Sequence, residues 1–130
     1  SRGDIWNHAL QIFYDNPIIG VGEAGYFDEI YKRMAHYIDT HNLFLYLLVS
    51  GGFLAFLLFM FFLIFIARNV ILNLKYRNAF PIIFFTFTML IALKTGGVIT
   101  YLIMWYMFAI LYSFDIRKLN TSIKSAVQTS

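Results

Sequence analysis

Apolar residues are spaced out over the first 41 positions and crowd together from position 42 onward. In "DIWNHALQIFY" they fall at Ile5, Trp6, Ala9, Leu10, Ile12 and Phe13, the spacing of a helix with one apolar stripe. Asp4 reads as its N-cap and Pro17 as its end. A second short helix is predicted over "YFDEIYKRMAHYI", with Phe27, Ile30, Tyr31, Met34 and Ile38 as its apolar positions. Helices with one apolar face lie along a membrane surface or pack on other helices.

From Asn42 to Ala67 the chain is almost wholly apolar. At ~1.5 Å per residue this stretch reaches roughly 39 Å, enough to cross a ~30 Å hydrocarbon core with some tilt. "SGG" at Ser50 to Gly52 permits close contact with another element, or a bend. "RNVILNLKYRN", Arg68 to Asn78, reads as a short basic connection. Phe80 to Phe114 is apolar again, broken by "KTGG" at Lys94 to Gly97. One helix over that stretch would be about 52 Å long, too long for a single crossing. The simplest reading is a turn between two spans, 80–93 (the helix proper from Pro81) and 98–114, with a bent or re-entrant helix as the alternative. The predicted fold class is all-α: polytopic integral membrane helices, about three spans, with a partly helical external loop.

Composition fits this class. Hydrophobic residues make up 60% of the 130 and charged residues 13%, about half the usual share for a soluble domain, and mean hydropathy is +0.68. The chain has no cysteine, which excludes disulfides, thiolate metal sites and a cysteine nucleophile. Charge placement sets the expected topology. Residues 1–41 hold Arg2, Lys32 and Arg33 against six acids. The connection carries Arg68, Lys75 and Arg77 without an acid, and the tail carries Arg117, Lys118 and Lys124 against Asp115. The positive-inside rule then places residues 1–41 and Lys94 outside, and the 115–130 tail in the cytoplasm. The segment before Tyr14 holds no apolar leader, and the first residue is not Met, so the chain is expected to be a piece of a longer membrane protein.

"PIIGVGEAGYF" contains Gly20, Gly22 and Gly25 in the order G-x-G-x-x-G. A dinucleotide site needs a strand before this turn and a βαβ unit around it. Here a helical segment and a proline precede it, and a membrane span soon comes after. The glycines are therefore expected to turn the chain at positive φ in a packed external loop.

Those residues, taken in order, resemble the O-antigen ligase and polymerase family. The pattern is Arg2, then Trp6, a helix, Pro17-x-x-Gly20-x-Gly22, a gap, and His41-Asn42 opening a span that carries Gly51-Gly52. The match runs from about Ser1 to Phe59. The resemblance implies a polytopic glycosyltransferase of which this chain would be the C-terminal third. It implies an undecaprenyl-diphosphate-linked glycan donor, a glycan or lipid-linked acceptor, and metal-independent transfer at the outer face of the bacterial plasma membrane. It makes His41 the base that deprotonates the acceptor hydroxyl and Arg2 a group that steadies the departing diphosphate, with Pro17, Gly20 and Gly22 shaping the loop that joins them. Neutral imidazole is the form that accepts a proton, and arginine binds phosphate bidentately while staying charged. From the residues alone, His41 reads more simply as a capping or interfacial histidine, and Arg2 as an ordinary juxtamembrane cation.

Arg33 and Lys32 match no motif position. Arg33 is a candidate substrate contact, with a solvated helix face as the simpler reading. Lys94 is an unpaired charge in an apolar stretch, which suits either a substrate contact or a turn at the external surface. His36 and Asp39 near His41 match no metal-ligand spacing, so no metal site is assigned. His8 reads as structural. Tyr46, Tyr101, Trp105, Tyr106 and Tyr112 fit an interfacial belt in part. The expected partners are the lipid-linked donor, the acceptor, the bilayer and the remaining spans of the full-length protein. No cofactor and no nucleic acid is expected. The competing class is a non-enzymatic polysaccharide export or transport subunit.

Overall fold

The computed structural model describes residues 1–74, 78–97 and 101–114. Lys75 and Arg77 of the basic connection, the start of the 98–114 segment and the tail from Asp115 lie outside the described residues. The described chain is all-helical: α1 (Arg2–Asp15), α2 (Gly22–Met34), α3 (Leu43–Leu74), α4 (Phe80–Ala92) and α5 (Leu102–Ser113).

The first helix starts earlier than its sequence suggests. Asp4 lies in the first turn instead of at the cap, and the Ser1 hydroxyl donates to its carboxylate at 2.8 Å. A carboxylate in the first turn is favoured by the helix dipole, so the position suits it. The second helix is displaced as well. It takes in Gly22 and Gly25 and stops at Met34, four residues short of Ile38, where Ala35 adopts a left-handed φ of 56°. The stretch from Ala35 to Ile38 is held by tertiary contacts: the Tyr26 hydroxyl donates to the Ile38 carbonyl at 2.7 Å, and Tyr31 stacks on Tyr37. Burial, with the Asp39 charge adding to it, pushes the Tyr26 phenol up, so it stays a proton donor.

The joint between the loop and α3 organises the rest. α3 is broken at Gly52, whose φ of 68° and ψ of −174° no helix contains. In an unbroken helix Phe53 N–H would donate to the Val49 carbonyl and Leu54 N–H to that of Ser50. Here Phe53 N–H donates to the Pro17 carbonyl at 2.8 Å and Leu54 N–H to that of Ile18 at 3.2 Å, while Val49 C=O accepts from Val21 N–H at 3.0 Å. The "PIIGV" segment thus supplies the bonds that the broken helix lost. Ser50, whose hydroxyl bonds back to the Tyr46 carbonyl at 2.7 Å, precedes the break, a contact that favours bending. Contact is backbone on backbone. A Cβ on Gly20 would lie 2.5 Å from Gly52 N and 2.6 Å from the Ser50 carbonyl oxygen. A Cβ on Gly52 would strike the Ile18 carbonyl and Gly20 N. The two glycine motifs are halves of one clasp.

The buried residues form two clusters that share α3. In one, Ala9 and Ile12 of α1 and Tyr26 and Ile30 of α2 close on Tyr46 and Val49. Tyr46 is buried against Tyr26, edge to face at 5.8 Å, and so is no part of an interfacial belt. In the other, Leu43 from before the break and Phe59, Leu63, Ile66 and Val70 from after it pack with Ala92 of α4 and Met104, Phe108 and Leu111 of α5. From Phe53 onward the outward side of α3 carries exposed Phe53, Leu54, Leu58, Phe61 and Ile64.

α3 runs seven residues past Ala67, because "RNVILNL" keeps Val70 buried and its asparagines turned inward. Asn73 Nδ2 donates to the Asn69 carbonyl at 2.9 Å and to the Phe114 carbonyl at 2.7 Å, joining the end of α5 to the end of α3. Lys94–Gly97 is a turn that separates α4 from α5. Among the described helices α3 is the one long and apolar enough to cross a membrane; α4 and α5 are shorter apolar helices of 13 and 12 residues. Of the three expected spans, one therefore corresponds to a helix of sufficient length and the other two to short apolar helices.

Gly20→Ala should lower stability by about 2–4 kcal/mol, combining a backbone clash with the left-handed φ. Gly22 has a φ of 75° but nothing within 4 Å of an added Cβ, so Gly22→Ala should cost only about 1 kcal/mol. Thermal unfolding of the purified protein in detergent would separate the two; equal losses would contradict the clasp.

Candidate functional site at the head of the long helix

Asn42 caps α3: its Oδ1 accepts from Phe44 N–H at 3.0 Å and Leu45 N–H at 3.1 Å. Thr40 is fully buried, and its hydroxyl donates to the Asn42 carbonyl at 2.9 Å. Between these two inward residues His41 adopts a left-handed φ of 52°. That conformation costs roughly 1 kcal/mol in a non-glycine residue, and histidine is among the residues enriched there. Its consequence is that the imidazole is turned outward, with 46% of the side chain exposed.

α1 reaches this point through Trp6. Trp6 Nε1 donates to the Thr40 carbonyl at 2.9 Å. Arg2 lies one turn before Trp6 on the same helix face, since residues four apart are surface neighbours. Arg2 is exposed, and among the described residues its guanidinium has no acidic partner. The Trp6 bond therefore brings the turn bearing Arg2 to the segment bearing His41.

The α4–α5 turn meets the same place from the other side. Asp39 Oδ2 accepts from Gly96 N–H at 2.8 Å and Gly97 N–H at 3.2 Å. The same oxygen lies 4.0 Å from His41 Nδ1. A Cβ on Gly96 would strike the Asp39 carboxylate and the Thr40 hydroxyl, so glycine is required there. Lys94 stands exposed in this turn, where an open apolar groove along α4, lined by Phe87, Leu90 and Ile91, ends at Lys94 and Thr95. Segments far apart in sequence thus converge: the first turns of α1, residues 39–42, and the turn at 94–97.

Arg33 is placed differently. Its guanidinium spans to α1, donating to Gln11 Oε1 at 3.0 Å and Asp15 Oδ2 at 3.2 Å. It braces the two short helices against each other, which the expected solvated helix face does not describe. Lys32 does lie on such a face, pairing within α2 with Asp28 at 2.7 Å and Glu29 at 2.9 Å. Pro17 and Gly20 act through the clasp at Gly52 and Gly22 by opening α2. Among the described residues no group of three His, Asp or Glu side chains is arranged to hold a metal ion. The sequence reading passed over Asp39 except as a metal ligand. The available signal was a carboxylate two residues before His41-Asn42 together with a second glycine pair further on.

A long apolar helix thus has an imidazole and a carboxylate at its head, with the α1 turn that bears Arg2 tied to the same segment through Trp6. Residues 1–60 of the 130 match the family model described as O-Antigen ligase, so this part of the chain is similar to that family. The match takes in Arg2, Trp6, the Pro17–Gly22 segment, His41-Asn42 and Gly51-Gly52. The family consists of bacterial membrane proteins of the glycosyl-transfer type. No curated protein and no solved structure matches the chain.

Asn42→Ala should cost about 1 kcal/mol through loss of the cap, whereas Asn42→Asp should keep both bonds and retain wild-type stability. Thermal midpoints of the two variants measure this; equal destabilisation would mean that the cap is not what Asn42 contributes.

Proposed function

We propose that this chain carries the acceptor-activating part of a membrane glycosyltransferase that moves a glycan from undecaprenyl diphosphate to an acceptor sugar, as an O-antigen, capsule or exopolysaccharide ligase or polymerase. The observation that carries the reading is the outward, left-handed His41 at the capped head of α3, beside the α1 turn that bears an unpaired Arg2.

In the proposed chemistry the His41 imidazole takes the proton of the acceptor hydroxyl. The oxygen attacks the anomeric carbon from the face opposite the diphosphate and forms the new glycosidic bond, with inversion. The bond from that carbon to the diphosphate oxygen breaks, and the electron pair leaves with the diphosphate. Arg2 offsets the charge that grows there. Lys94, at the end of the apolar groove on α4, is a second cation for the diphosphate, with the prenyl chain lying along Phe87, Leu90 and Ile91. Both cations and the leaving group's charge shift fit transfer without a metal. Arg33 has no part in this chemistry, because its guanidinium is held by Gln11 and Asp15.

Three crossings are part of the proposal. The turn at Gly96 and Gly97 is tied to Asp39 at the head of α3, and Phe114 to Asn73 at its foot. Asn78 N–H also bonds to the Asn73 carbonyl at 3.2 Å. These contacts support a reading in which α4 and α5 each lead from one end of α3 towards the other. With residues 1–41 and the site on the outer face of the plasma membrane, the 115–130 tail lies in the cytoplasm. Remaining spans of the full-length protein would complete the donor site.

In cells that depend on the full-length gene, His41→Ala should abolish the polymer or ligated glycan at normal protein level, and Arg2→Ala should reduce it about 10–100-fold. Glycan gels with immunoblots of the protein read both; normal glycan in the His41→Ala strain would end the base assignment. Cysteines placed at the exposed positions Asp28 and Asn78 test topology with a membrane-impermeant thiol reagent. Labelling at Asp28 alone is expected, and labelling at Asn78 alone would reverse the orientation.

A further inference from the structure

We infer that Asp39 is the positioning residue of His41, and that the Gly96-Gly97 turn holds it in that role. The inference rests on the proposal that His41 is the base. Asp39 Oδ2 lies 4.0 Å from His41 Nδ1, within reach of an ionic contact once the ring is protonated. The carboxylate cannot drift. Two backbone N–H groups of one turn converge on that same oxygen, at 2.8 and 3.2 Å. The Thr40 hydroxyl approaches Oδ1 at 3.4 Å, and the side chain is 22% exposed. Bare glycine at 96 lets the turn come this close, since an added Cβ would occupy the carboxylate's place.

The consequence for the chemistry is directional. With Nδ1 turned towards the carboxylate, Nε2 is the nitrogen left to take the acceptor proton. The imidazolium that forms then lies beside a fixed negative charge, which stabilises it as the reaction proceeds. Because the contact is long and the ring half-exposed, the effect is smaller than that of a buried, directly bonded carboxylate. The arrangement also makes the turn between α4 and α5, some 55 residues further along the chain, part of the site.

Asp39→Asn keeps an oxygen that can accept from Gly96 and Gly97 N–H but removes the charge. In membranes containing the full-length protein, it should lower turnover at saturating donor and acceptor by roughly 10–100-fold. The KM for the lipid-linked donor and the thermal midpoint should stay unchanged. Asp39→Glu, which restores the charge at longer reach, should recover part of the rate. His41→Ala is assayed alongside. If His41→Ala is inactive while Asp39→Asn turns over like the wild type, or loses rate only in step with folded protein, the role of Asp39 is overturned and the base assignment stands. If His41→Ala itself retains turnover, the base assignment falls and the positioning role falls with it.

Discussion

The structure depends on a helix that is broken and mended by another part of the chain. Within a long apolar helix, a backbone N–H or C=O left without a partner costs several kcal/mol, because lipid offers no replacement for water. Gly52 breaks α3, and the Pro17, Ile18 and Val21 backbone groups take up the bonds that the break releases. This requires main chain to approach main chain with no Cβ between them, which explains both Gly20 and Gly52. It also fixes where α1 ends and α2 begins, and hence which face of each reaches the upper part of α3. Once that joint is made, α1 runs alongside the upper part of α3, and Trp6 arrives at Thr40.

The head of α3 shows a second use of polar bonds at the edge of an apolar body. Asn42 closes the helix start, Thr40 turns inward, and His41 is left with a backbone conformation that sends its ring outward. Asp39 adds the α4–α5 turn to the same place. These bonds sit where the apolar packing of the two cores ends, so position is set by hydrogen-bond geometry there and by side-chain volume elsewhere. The separation has a functional sense in the proposed reading. The reacting groups need fixed directions, while the helices beneath need only apolar contact with each other and with lipid.

Most elements were legible, but their limits were not. The apolar stripe at Ile5, Ala9 and Ile12 marked α1 and its buried face correctly. The G-x-G-x-x-G pattern has no strand before it among the described residues, and positive φ was rightly expected at Gly20 and Gly22. Gly25, however, lies inside α2, because helix boundaries there depend on the clasp and the Tyr26–Ile38 bond more than on local propensity. Tyr46 looked interfacial from its place near a span end and is instead buried against Tyr26. Arg33 looked solvated and instead bridges two helices. In each case the deciding partner is distant in sequence, and periodicity carries no information about such partners.

The amino-acid sequence by itself determined the helical class of the chain, its apolar segments, and the family likeness of its first 60 residues. Composition and spacing suffice for those because they depend on local propensity and on apolar length. It also marked Arg2, His41, Lys94 and the two glycine pairs as positions to explain. Only the tertiary structure decided that Gly20 and Gly52 touch, that Trp6 ties the Arg2 turn to Thr40, and that Asp39 joins His41 to the turn at Gly96. Those contacts are made by backbone groups and short polar side chains meeting at particular distances, and such distances exist only once the helices have packed.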